Sequence, residues 1–88
     1  LLTDPEPLIR IRAARALAGI GHYKESVPVL RNYLAAPDQV LQLRAVLAID
    51  ECGLLGVDPS LSGPLKKVRG AYGKRVAQRI FTATAGTR

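Results

Sequence analysis

Apolar and polar positions keep one rhythm from Leu8 to Gly21, and the chain then repeats it. The stretch LIRIRAARALAGIG at residues 8–21 returns 32 positions later as VLQLRAVLAIDECG at residues 40–53. The two agree as apolar, apolar, polar, apolar, Arg, small, apolar, then Ala16/Ala48, Leu17/Ile49 and a closing glycine. A proline precedes each, Pro5 and Pro37. A weaker third copy, Arg75-Val76-Ala77-Gln78-Arg79-Ile80, follows 31 positions after the second. Apolar residues spaced by three and four are helical, and a fixed period in the low thirties marks helical units that stack on one another. The pattern predicts an all-α right-handed α-α superhelix over residues 1–82, about five helices forming two and a half repeats.

Helices are expected near 5–19, 27–35, 39–52, 60–69 and 74–82, with 83–88 as a frayed tail. Thr3 or Asp4 is placed to cap the first, with prolines in its first turn. On a wheel, Ile9, Ala13, Ala16, Leu17 and Ile20 form its main apolar stripe. Leu8, Ile11, Ala14 and Ala18 point elsewhere, so this helix expects neighbours on more than one side. His22-Tyr23-Lys24-Glu25 reads as a polar connection, Ser26 as the cap of the second helix and Asp38 as the cap of the third. From Val40 to Ile49 the third helix carries one charge, Arg44, which places it inside the stack. Cys52 to Val57 reads as a loop longer than its counterpart after Gly21.

Charge changes this picture at one end. The net charge is +6, and it is concentrated. Residues 1–58 hold six basic and seven acidic side chains, whereas residues 59–88 hold seven basic ones and no acid. Lys66, Lys67, Arg69, Lys74 and Arg79 therefore stand as candidates for an anion-binding face. One cysteine excludes an internal disulfide and a cysteine-based metal cluster. No apolar run approaches the roughly 20 residues a membrane span needs. With no methionine and with apolar residues at both ends, the chain reads as a piece of a longer one.

The pattern of Asp-Pro, a helix with Arg and paired alanines, a glycine, and then a Pro-x-Leu helix resembles HEAT-like repeats. More narrowly, it resembles the HEAT-like tail of some bacterial sulfatases, through Val27-Pro28-Val29-Leu30, Leu43-Arg44-Ala45 to Gly53, Pro64-Leu65-Lys66-Lys67 and Tyr72-Gly73-Lys74-Arg75-Val76-Ala77. The resemblance implies an Asp–Arg ladder along the stack, Asp4 with Arg12 and Asp38 with Arg44, with Arg75 lacking an Asp at the same offset. The same expectation follows from charge burial, since an arginine enclosed by apolar neighbours must find an anion or carbonyls.

No catalytic constellation stands out. His22 is the sole histidine and sits in a connector. Cys52 ends an apolar helix and suits packing. Asp50 and Glu51 are adjacent and diverge by about 100° on a helix, so they are not a paired carboxylate site. Ser62-Gly63-Pro64-Leu65-Lys66 has the outline of a sulfatase maturation motif, but with Lys where Arg is required and at a helix start, where Ser and Pro have ordinary roles. No metal or cofactor is called for. The expected function is a non-catalytic scaffold or interaction module, implied by the resemblance to belong to a sulfatase-type hydrolase. Its partners would be neighbouring repeats, the catalytic domain of the same chain, a protein or an anionic polysaccharide, not a membrane. A periplasmic or secreted location follows for a sulfatase parent, a cytoplasmic one otherwise. The alternatives are a basic repeat domain binding nucleic acid and a free-standing protein–protein adaptor.

Overall fold

A computed structural model describes residues 2–85. Six α-helices follow in order: α1 (Pro7–Gly19), α2 (Tyr23–Leu34), α3 (Gln39–Cys52), the single turn α4 (Leu54–Val57), α5 (Ser62–Lys66) and α6 (Ala71–Ala85). A 3-10 turn at Pro59–Leu61 leads into α5. No strand occurs among the described residues. The fold is all-α, in two layers: α1, α3 and α6 side by side in one, α2 and α5 in the other. The described chain measures 36 × 28 × 17 Å along its principal axes.

Local chemistry sets the helix ends. Pro7 opens α1 behind Glu6, while the Asp4 carboxylate accepts the Glu6 N–H at 2.8 Å one step upstream. The helix therefore starts two residues later than Thr3 or Asp4 capping implies. At its far end Gly21 takes φ +88°, which lets the N–H of His22 reach the Leu17 carbonyl at 2.9 Å and that of Gly21 reach Ala18. This closes the orphan carbonyls of the last turn. Asp38 caps α3 by accepting from the N–H groups of Val40 and Leu41. Helix α2 starts at Tyr23, so the tetrapeptide His22–Glu25 supplies its cap and first turn, and Ser26 is a buried helix residue instead of the cap. Pro28 lies inside α2, past the four N–H groups that have no helical partner, so it leaves the Lys24 carbonyl without its usual donor.

The segment after Cys52 is more ordered than a loop. Leu54 and Leu61 are fully buried, and the Asp58 carboxylate accepts the N–H and hydroxyl of Ser60 and a guanidinium N–H of Arg31 on α2. This pins the longer connection to the preceding repeat. The fourth expected helix shrinks to Ser62–Lys66. Gly70 at φ +83° breaks the chain there, and α6 begins at Ala71. Residues 83–85, expected in a frayed tail, are helical; 86–88 lie outside the described residues.

The core runs the length of the stack: Ile11, Ala14 and Ala18 on α1, Leu30 and Leu34 on α2, Ala45, Val46 and Ile49 on α3, Leu65 on α5, and Val76, Ala77 and Ile80 on α6. The third copy keeps its 31-residue offset in burial. Gly73, Val76, Ala77 and Ile80 occupy the places of Gln42, Ala45, Val46 and Ile49, all buried. Helix α1 inverts the expectation from its wheel. Its narrower apolar face, Ile11, Ala14 and Ala18, meets α2 and α3, while the broad stripe is open, with Ile9 36% and Ile20 71% exposed. The equivalents of Ala13, Ala16 and Leu17 on α3, namely Ala45, Ala48 and Ile49, are all buried. The same residue types are fully covered in one repeat and half-covered or exposed in the other because only α3 has helices on both sides.

Candidate interaction surface

Between α1, α3 and α6 runs a groove of about 460 Å³. It is lined by Leu8, Ile11, Arg12 and Arg15 of α1, by Arg44, Leu47, Ala48, Asp50 and Glu51 of α3, and by Arg79 of α6. Helical spacing builds it: Arg12 and Arg15 lie one turn apart on α1, and Arg44, Leu47 and Glu51 share a face of α3. Two ion pairs cross between helices. Arg15 donates through Nε and Nη2 to both carboxylate oxygens of Glu51, at 2.7 and 3.3 Å, joining α1 to α3. Arg79 donates to Asp50 at 2.6 Å, joining α6 to α3. The hydrogen bond from Arg15 holds the Glu51 carboxyl below its ordinary range and raises the guanidinium in turn. Arg12 and Arg44 are exposed and form no ion pair among the described residues.

The family model for HEAT repeats matches residues 1–78. The chain belongs to the HEAT repeat family. No curated protein and no solved structure matches it, and the narrower likeness to sulfatase tails gains no support from these comparisons. HEAT repeats form helical-repeat interaction modules, which makes the surface of the stack the place to look for function.

Within this HEAT segment the expected Asp–Arg ladder is not formed. Asp4 and Asp38 spend their carboxylates on backbone N–H groups at the helix starts. Arg12, Arg44 and Arg75 do recur at equivalent helix positions, but all three are exposed. Each guanidinium emerges at the surface, so no buried charge demands a partner. The inter-repeat ion pairs that do form use Arg15, Arg31 and Arg79.

The basic C-terminal third is likewise divided. Arg69 donates at 2.8 Å to each of the Ala36 and Pro37 carbonyls, and its own N–H donates to Gln42 Oε1 at 3.2 Å. It clamps the α5–α6 loop to the α2–α3 turn, which fixes where its guanidinium sits. Arg79 is taken by Asp50. Lys66 and Lys67 are exposed at the end of α5, Lys74 and Arg75 on α6. Lys67 borders a separate cleft with Gly63, Pro64 and Arg69.

Gln42 went unnoticed in the sequence. It is 3% exposed, donates from Nε2 to the Leu34 carbonyl at 2.6 Å and accepts from the Arg69 N–H. A lone amide at position 42, in phase with 45, 46 and 49, was the available signal. Arg15, Asp50 and Glu51 were missed as surface residues because their pairing spans 29 to 36 positions.

For chemistry, the arginines of the described residues engage carboxylates and backbone carbonyls of the same chain. Burial pushes the Cys52 thiol up, and its Sγ lies 3.8 Å from the Arg15 carbonyl, which disfavours the thiolate a nucleophile needs. Among them no three His, Cys, Asp or Glu side chains gather as a metal site, and no helix is long and apolar enough to cross a membrane. His22 is exposed at the start of α2.

Proposed function

We propose that this segment is a non-catalytic HEAT interaction module whose contact face is the α1–α3–α6 groove. The observation that carries this reading is the pair Arg12 and Arg44. Both line one concave surface, both lack a partner among the described residues, and Leu8, Ile11 and Leu47 lie beside them. Surfaces that mix unpaired arginine with apolar side chains suit protein recognition. The reading of a nucleic-acid binder is weaker, because the basic residues of the last third are split between carbonyl clamping, ion pairing and separate elements, and no aromatic lines the groove.

The test is co-purification with a charge-reversed groove. Arg12→Glu with Arg44→Glu is expected to remove protein partners that the parent chain retains, while Lys66→Glu with Lys67→Glu leaves them. A gel shift on duplex DNA at physiological salt that depends on the lysine pair would favour the nucleic-acid reading instead.

A further inference from the structure

We infer that the groove between α1, α3 and α6 binds an acidic peptide segment, its carboxylates seated on Arg12 and Arg44 and an apolar side chain packed between them on Leu8 and Leu47. This deepens the proposed function and rests on its assignment of the groove as the contact face. Charge selects the ligand first. Four arginines and two carboxylates line the groove, and both carboxylates are already engaged, Glu51 by Arg15 and Asp50 by Arg79. The two remaining guanidiniums supply an uncompensated double positive charge. Guanidinium presents a planar fork that matches a carboxylate, and the Arg15–Glu51 pair shows the two-pronged form of that match within the groove.

Shape and the resident acids then separate peptide from polyanion. A phosphate or sulfate backbone brings charge at every step and would meet Asp50 and Glu51 beside the arginines, whereas a peptide spaces its carboxylates and can turn apolar side chains to the same surface. Ile11 and Ala48 are buried at the base, and Leu8 and Leu47 are partly exposed above them, so the floor between the charges is apolar. A volume of about 460 Å³ holds a few side chains, within the range of about 300–1,000 Å³ usual for ligand clefts.

The experiment measures fluorescence anisotropy of a fluorescein-labelled peptide alternating Glu with paired leucines, with its Gln-for-Glu counterpart, a heparin hexasaccharide and a DNA duplex as further probes. The acidic peptide is expected to saturate and to weaken as salt rises. The Gln counterpart is expected to bind about tenfold less well, and Arg12→Gln and Arg44→Gln to cost about 2- to 5-fold each, the scale of an exposed ion pair. Lys66→Gln with Lys67→Gln is expected to leave binding unchanged. Equal binding of the Gln counterpart, still sensitive to Leu47→Ala, overturns the acidic chemistry and leaves the groove as contact face. Tighter binding of heparin or DNA than of the peptide, lost in the arginine variants, overturns the peptide and assigns a polyanion. Loss through the lysine pair, or no binding of any probe, overturns both.

Discussion

Replacing Gln42 by Met is the sharpest test of how the stack is held together. Methionine nearly preserves the volume of the side chain and its helix propensity, so the change isolates the two hydrogen bonds. One partner, the Leu34 carbonyl, belongs to a residue 2% exposed, and leaving a buried acceptor unsatisfied costs about 1–3 kcal/mol. The other, the Arg69 N–H, is only partly buried, so its loss is nearer about 0.5–1.5 kcal/mol. Exchanging an amide for a thioether at a 3% exposed site returns about 1 kcal/mol of apolar burial. The net expectation centres on a loss of about 2 kcal/mol, or roughly 8–16 °C in melting temperature for a domain of this size. Urea unfolding followed by circular dichroism gives the first figure, and hydrogen exchange at the Arg69 amide reports whether its protection has gone. A midpoint unchanged within about 0.5 kcal/mol, or a still-protected Arg69 amide, would refute the reasoning. Gln42→Glu should cost more at neutral pH, since a carboxylate has no hydrogen for Leu34 and brings charge into the core.

Four further outcomes are expected. A Cβ on Gly73 would lie 2.8 Å from Val68 Cγ1, so Gly73→Ala should destabilise by about 1 kcal/mol despite its better helix propensity; the Gly73→Ala/Val68→Ala double variant, measured by urea unfolding, should lose less than the two single losses summed. The fully buried Ser26 hydroxyl has no hydrogen-bond partner among the described residues, so Ser26→Ala should raise stability by about 0.5–1.5 kcal/mol in the same assay. Asp58 is held below the ordinary carboxylate range chiefly by the Ser60 hydroxyl, with Arg31 adding to it. Its contribution is therefore complete at neutral pH and lost as pH falls below about 4, and Asp58→Asn should flatten the acid limb of a melting-temperature profile. Arg44→Met should shift stability by less than about 0.5 kcal/mol, since the guanidinium is exposed and has no ion pair among the described residues; a large loss by calorimetry would restore the ladder.

The helical class and the repeat were legible because both are written in apolar spacing, which sequence carries directly. Ala45, Val46 and Ile49, and their counterparts Val76, Ala77 and Ile80, needed no partner information to be placed inside. The face of α1 was not legible: two apolar stripes compete on Pro7–Gly19, and only the position of α2 and α3 decides which is covered. Helix α2 began earlier than expected because the polar residues 22–25 can serve a first turn as well as a link, and α5 was shortened because residues 59–61 wind as a 3-10 turn ahead of it and the chain leaves the helix at Lys67, before the positive-φ Gly70. The candidate surface was half legible. Arg12, Arg44 and Arg79 were singled out, but their roles depend on which carboxylates arrive from other helices. Asp4 and Asp38 were each given two roles, at a helix start and in a ladder, and the nearby backbone N–H groups claim them for the first.

The bare stripe of α1 has a thermodynamic consequence. Ile9, Ile20 and the adjoining trough of Leu2, Ala13, Ala16 and Leu17 keep water on an apolar surface, and anything that displaces that water binds only the folded form. A ligand that covered the stripe in the folded form would raise the melting temperature as its concentration rose, so a dilution series of the segment alone reads whether its own copies do so.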